Sequence, residues 1–80
     1  MKEVILPQLG EGIEGASITC WYFKQGDNVK EGEDLVELAT DKAAFNLPCP
    51  ASGKLRQILL NEGDAVKVGQ AMAIIEEASG

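Results

Sequence analysis

Lys42, in the run Thr40-Asp41-Lys42-Ala43, is the side chain with the most chemical promise in this sequence. An amine can work in two ways. As a Schiff-base nucleophile it needs a lowered pKa, from burial or nearby cations, and the residues around Lys42 supply neither. As an acceptor of a covalent group it needs only exposure and a partner enzyme that recognises its surroundings. A lysine in such a turn is ordinarily a solvated residue, so the acceptor role has to be argued from the rest of the chain.

The second candidate is Gly10-Glu11-Gly12-Ile13-Glu14-Gly15, which matches the GxGxxG spacing of dinucleotide-binding loops. That fingerprint needs a helix next, whose N-terminus receives the pyrophosphate. Ala16–Phe23 is β-branched and aromatic instead, and Glu11 and Glu14 would repel a phosphate. The stretch reads as a surface loop. The chain has no histidine, which removes the commonest general base and metal ligand. Cys20 and Cys49 lie 29 residues apart without ligand spacing, so no metal site is expected, and buried thiols suit them better than a disulfide. With no nucleophile–base pair and no metal cluster, no catalytic residue is assigned and the domain alone is not expected to be an enzyme.

The elements that must position Lys42 are short strands. Eighty residues make one small domain. Apolar residues at 45% and charged residues at 25% are ordinary for a globular fold. A net charge of −6 argues against nucleic acid and anionic membranes and permits a basic protein partner. No apolar run reaches the length of a membrane span or signal-peptide core. No convincing helix is present. Strand character marks Lys2–Leu6, Ala16–Phe23, Leu35–Thr40, Ala43–Leu47, Gly53–Leu60 and Ala71–Glu76, with Val29 to Gly32 read as a short link. Leu35–Thr40 and Ala43–Leu47 flank the pair Asp41-Lys42, a spacing that predicts a hairpin with Lys42 at its tip. The domain is expected to span 1–76, with 77–80 starting a linker or tail.

An internal repeat supports this reading. Gly26-Asp27-Asn28-Val29-Lys30-Glu31-Gly32 recurs 37 residues later as Gly63-Asp64-Ala65-Val66-Lys67-Val68-Gly69. Ile18, Trp21 and Phe23 align with Leu55, Ile58 and Leu60, and their 3-then-2 spacing predicts a bulge at the same place in both strands. Leu35 and Leu38 align with Met72 and Ile75. Neither half can bury its own apolar face, so the two are expected to face one another. Shifting Lys42 by 37 residues lands on Ser79 or Ile5, beside the chain ends. The tip should therefore lie opposite the termini, which suits a tethered carrier.

These features together resemble the lipoyl domains of 2-oxo acid dehydrogenase complexes, found at the N-terminus of dihydrolipoyl acyltransferase chains. The resemblance rests on Gly-Asp-x-Val-x-x-Gly twice, the Thr40–Ala43 tip, Leu47-Pro48-Cys49-Pro50-Ala51-Ser52-Gly53, and the opening Leu6-Pro7-Gln8-Leu9-Gly10-Glu11-Gly12-Ile13. It implies an all-β fold, a flattened barrel/sandwich hybrid of two four-stranded antiparallel sheets with quasi-twofold symmetry. It also implies that Lys42 carries lipoate in amide linkage, added by a lipoate-attaching enzyme, with Asp41 and Ala43 helping to place it. The loop Gly10, Glu11, Gly12, Ile13 and Glu14 is implied to lie beside the tip and to help the dehydrogenase recognise the domain.

By the same resemblance the partners are the thiamine-diphosphate 2-oxo acid dehydrogenase subunit, the acyltransferase core and dihydrolipoyl dehydrogenase, and the isolated domain is a monomer. Pyruvate or a branched-chain 2-oxo acid is the favoured substrate. The location is cytoplasmic for a bacterial chain and the mitochondrial matrix for a eukaryotic fragment. One departure stands out: many family members carry Glu, associated with correct modification, where this chain has Ala39. Two other readings stay open. A biotin carrier domain of a carboxylase shares the architecture, but its lysine stands between methionines, and here Asp41 and Ala43 occupy those positions. An unmodified structural hybrid-barrel domain would not need the lysine.

Overall fold

In the computed structural model, which describes residues 1–77, the chain forms eight strands and, among the described residues, no helix. They are β1 (Lys2–Ile5), β2 (Gly15–Trp21), β3 (Asn28–Val29), β4 (Asp34–Ala39), β5 (Ala44–Pro48), β6 (Gly53–Ile58), β7 (Ala65–Lys67) and β8 (Ala71–Glu77). One sheet runs β1-β8-β6-β3, the other β5-β4-β2-β7, and all pairings are antiparallel. The expected all-β sandwich of two four-stranded sheets is what forms; the sheets stay separate and do not close into a barrel. Alternation explains the layers: on β2, Ala16 and Ile18 are buried while Ser17 and Thr19 are exposed.

The repeat is visible in the backbone hydrogen bonds. Gly26 N–H donates to the Leu55 carbonyl and Gly63 N–H to that of Ile18, both at 2.7 Å. In return, Leu55 N–H donates to Asp27 and Ile18 N–H to Asp64. Gly26 and Gly63 sit at φ +100° and +92°, a region that a side chain disfavours, which is why glycine takes the third position of the turns Lys24–Asp27 and Asn61–Asp64. The expected bulges occur at matched places, between Ile18 and Cys20 on β2 and between Leu55 and Gln57 on β6.

Two sequence expectations need correcting. The halves do not face each other as separate layers: β1 and β3 lie in one sheet with β6 and β8, while β2 and β4 lie in the other with β5 and β7. Each half thus lends two strands to each sheet, and the apolar faces of both halves meet in one shared core. Asn28–Val29, placed within a turn and link, is the short strand β3, paired with Lys54 and Gly53 on β6. Two residues carry too little pattern to mark a strand. Glu77 ends β8; residues 78–80, with the rest of the expected linker and Ser79, lie outside the described residues.

The core is where the repeat-mates meet. Ile18 and Leu55, Val29 and Val66, Leu35 and Met72, and Leu38 and Ile75 are all buried. Each large side chain here contributes about 1.5–3 kcal/mol through its removal from water. Trp21, Phe23, Ile58 and Leu60 pack against them partly buried, and the indole N–H of Trp21 donates to the Leu60 carbonyl at 3.0 Å.

Cys20 and Cys49 are both free thiols; Cys49 is buried as expected, but Cys20 is only partly so. Burial pushes the Cys49 thiol above its ordinary pKa, and the Glu33 and Glu31 carboxylates add to the rise. Below roughly pH 8.5 the thiol is protonated in both folded and unfolded chains, and this contribution is fully present. Above that, the unfolded chain releases its proton first, so folding stability falls as pH rises towards the raised folded value. Urea melts at neutral and alkaline pH should show a steeper alkaline loss for the parent than for Cys49→Ala. Equal slopes would remove this account.

Candidate functional site

The β4–β5 hairpin carries Lys42 at its tip. Ala39 pairs with Ala44, and Thr40 N–H donates to the Ala43 carbonyl at 2.8 Å, which closes the ladder. Two-residue hairpin loops usually adopt primed turns with positive φ, yet no non-glycine residue here has positive φ. The threonine hydroxyl instead holds a turn that does not need positive φ. Thr40 Oγ1 accepts the Lys42 and Ala43 N–H groups, each at 3.2 Å, and lies 3.2 Å from the Ala43 carbonyl, to which its own proton can be donated. The base of Lys42 is therefore held by hydrogen bonds while its side chain is exposed. Among the described residues its ammonium has no hydrogen-bond or ion-pair partner. Asp41 and Ala43 flank it, both exposed.

An exposed, unpaired amine on a pinned backbone fits attachment of an acyl group. It does not fit unaided Schiff-base chemistry, since nothing buries it. No cluster of metal-ligating side chains occurs among the described residues.

Strand registers fix where the tip lies. Ala39 faces Ser17, and Gly15 faces Lys67, so the start of β2, the end of β7 and the tip share one end of their sheet. The base of the hairpin lies at the opposite end, where Gly32 N–H donates to the Cys49 carbonyl and Cys49 N–H to that of Glu33. Gly53, a few residues on, pairs with Glu77 and with Val29, and Lys2 pairs with Ile75 nearby. Lys42 thus stands at the end away from Lys2 and Glu77, in a molecule measuring 39 × 21 × 18 Å.

The Gly10–Glu14 loop is at the tip end as well. Val68 N–H donates to the Glu14 carbonyl at 2.9 Å, and Glu14 lines an open groove of about 650 Å³ with Ser17, Ala39, Thr40, Asp41 and Lys67. Gly10 to Ile13 do not line it, and a turn from Ile13 N–H to the Gly10 carbonyl holds the loop. The loop is also where the repeat breaks. Leu6 and Cys49 make matching bonds, Leu6 with Gln70 and Gly69 and Cys49 with Glu33 and Gly32. They are 43 residues apart, against 37 for the rest of the repeat, so the first half holds six additional residues before β2. That change of offset was available in the sequence as the signal of an insertion.

The third glycine of the GxGxxG match also has a packing role. A Cβ on Gly15 would run into the Val66 carbonyl on β7, so the residue is small because two strands meet there. The loop leads into β2 rather than a helix, as expected. Thr40 has a role that its place in the tip motif does not signal, since its hydroxyl bonds the Lys42 and Ala43 N–H groups only once the turn forms. Ala39 is half-buried and lines the groove together with the charged residues Glu14, Asp41 and Lys67.

Comparison with known proteins identifies the family and the fold. A family model described as "Biotin-requiring enzyme" (Biotin_lipoyl) matches residues 2–75. The chain is 45% identical, over all 80 residues, to the dihydrolipoyllysine-residue succinyltransferase component of the 2-oxoglutarate dehydrogenase complex of Staphylococcus saprophyticus. It is 40% identical over the same span to the dihydrolipoyllysine-residue acetyltransferase component of the pyruvate dehydrogenase complex of Acholeplasma laidlawii. It spans only 19% and 15% of those two proteins. Among solved structures, the lipoyl domain of the 2-oxoglutarate dehydrogenase complex from Azotobacter vinelandii superposes with a TM-score of 0.80 at 29% identity, over 99% of this chain and 100% of that one. A single-chain, multi-domain long-chain acyl-CoA carboxylase shares the fold alone, with a TM-score of 0.75 at 18% identity over 98% of this chain and 7% of that one. The chain belongs to the family of lipoyl (biotinyl/lipoyl attachment) domains, and within it resembles those of 2-oxo acid dehydrogenase complexes.

Proposed function

We propose that this domain is an acyl and electron carrier of a 2-oxo acid dehydrogenase complex, modified with lipoate on Lys42. The observation that carries the reading is the unpaired Lys42 amine on a hydrogen-bonded tip, in a chain of this family. Lys42 Nζ attacks the activated carboxyl carbon of the incoming acyl group. The leaving group departs with its bonding electrons, one proton is released, and an amide remains. Held in amide linkage at Lys42, lipoyl would supply a disulfide able to accept an acyl group with two electrons.

The domain's own residues supply recognition and local concentration. The exposed tip would hold the attached group clear of the sheets, at the end of the molecule away from Lys2 and Glu77. Asp41 and Ala43 serve the lipoate-attaching enzyme, and the Gly10–Glu14 loop serves the dehydrogenase subunit. The acyltransferase core and dihydrolipoyl dehydrogenase complete the circuit, within a longer chain that is itself a dihydrolipoyl acyltransferase. Pyruvate and a branched-chain 2-oxo acid remain candidate substrates, and the 45% identity to a 2-oxoglutarate-type relative supports 2-oxoglutarate as a further one.

Intact mass after coexpression with a lipoate ligase, and separately with a biotin ligase, tests the reading. A lipoyl-sized increment is expected from the first and none from the second. A biotin-sized increment would instead identify a carboxylase carrier, and a folded domain with no increment would favour a purely structural role. Incubating the lipoylated domain with labelled pyruvate, 2-oxoglutarate or branched-chain 2-oxo acids and the matching dehydrogenases then identifies the substrate.

A further inference from the structure

We propose that Thr40 is a positioning residue for the covalent modification of Lys42, a proposal that rests on the carrier function above. The other turns are held in a different way. In four of them a side chain late in the turn accepts the N–H of the residue three positions earlier. Asp27 accepts from Lys24 and Asp64 from Asn61, at 2.8 Å each. Glu33 accepts from Lys30 at 3.1 Å and Gln70 from Lys67 at 2.9 Å. These four form two repeat-related pairs and belong to the symmetric scaffold.

The tip is built the other way round. Thr40, at its start, accepts N–H groups that follow it, from Lys42 and Ala43. Its symmetry-mate 37 residues on is Glu77, so the shared scaffold does not call for threonine there. Thr40 thus fixes the backbone beneath Lys42. The attaching enzyme meets a turn of one geometry, and less ordering remains to be done as the amine approaches the activated acyl group.

The test compares the parent with Thr40→Val, which keeps shape and β-branching but loses the hydroxyl, and Thr40→Ser, which keeps the hydroxyl. Initial rates of lipoylation by a lipoate ligase are measured over a range of domain concentrations, with circular dichroism and amide exchange on the same samples. Removing these bonds should lower kcat/KM for the domain about tenfold in Thr40→Val, with faster exchange at Lys42 and Ala43. Thr40→Ser should stay within about twofold of the parent. Should Thr40→Val fail to fold, Thr40→Ala carries the same expectation. A folded hydroxyl-free variant modified at the parental rate overturns the proposal. So does a Thr40→Ser variant as slow as Thr40→Val, since the methyl group would then be the feature that counts. A parent that takes up no lipoyl removes the carrier function itself, and is told apart because it needs no variant.

Discussion

Lys42→Arg should fold as the parent does and carry no lipoyl group at all. Arginine keeps the charge and roughly the reach of lysine, but its guanidinium stays protonated and is no acyl acceptor at neutral pH. The parental side chain is exposed and, among the described residues, unpaired, so the substitution should change stability by no more than about 0.5 kcal/mol. Loss of modification without loss of fold separates chemistry from scaffold. Modification also has an electrostatic signature: amide formation removes one positive charge, taking the net charge from −6 to −7. Native electrophoresis should show this step for the parent incubated with lipoate and ligase, and none for the arginine variant. An arginine variant that still gains a lipoyl-sized mass would move the attachment point to another lysine and end the assignment of Lys42.

The second large effect is on stability, at Gly15. Its strand neighbour is so close that a Cβ would meet the Val66 backbone carbonyl, and backbone gives way less readily than a flexible side chain. Gly15→Ala should force β7 away from β2, at a cost of about 2 kcal/mol, within the usual range for overpacking. In a domain of this size that is a fall of roughly 10 °C in Tm. The damage should be local first. The pairings of Gly15 with Lys67 and Ala16 with Val66 are at stake, so amide protection should drop in β7 before it drops in β4 or β8. Ser17→Ala, exposed on the same strand, should leave Tm almost unchanged. A Gly15→Ala variant melting with the parent would mean that the two backbones are not as close as described.

Much of this site could be read from residues near one another in the chain. Two strand-like runs around Asp41-Lys42 were enough to place a hairpin tip, and the tip is where they indicated. The displaced apolar pairs Ile18/Trp21 and Leu55/Ile58 located both bulges, because an extra residue shifts which side chains face inward. Thr40 was harder to see. Its hydroxyl matters only once the turn brings it under the Lys42 and Ala43 N–H groups, and threonine in a strand is otherwise ordinary. Gly15 was misleading in a different way, since its place in a phosphate-loop pattern obscured a packing requirement set by a strand some fifty residues away.

The sequence by itself determined six of the eight strands, the doubled plan and the exposed amine midway along it. All three depend on alternation, turn residues and a repeat, which act over a few residues and leave a pattern in side-chain types. Only the tertiary structure decided that the two halves exchange strands between sheets, that the Glu14 end of the glycine-rich loop lines a groove with the tip, and that Gly15 lies against β7. Those outcomes come from backbone pairing between distant segments. Every strand offers the same N–H and C=O groups to any neighbour, so its own residues do not name the partner.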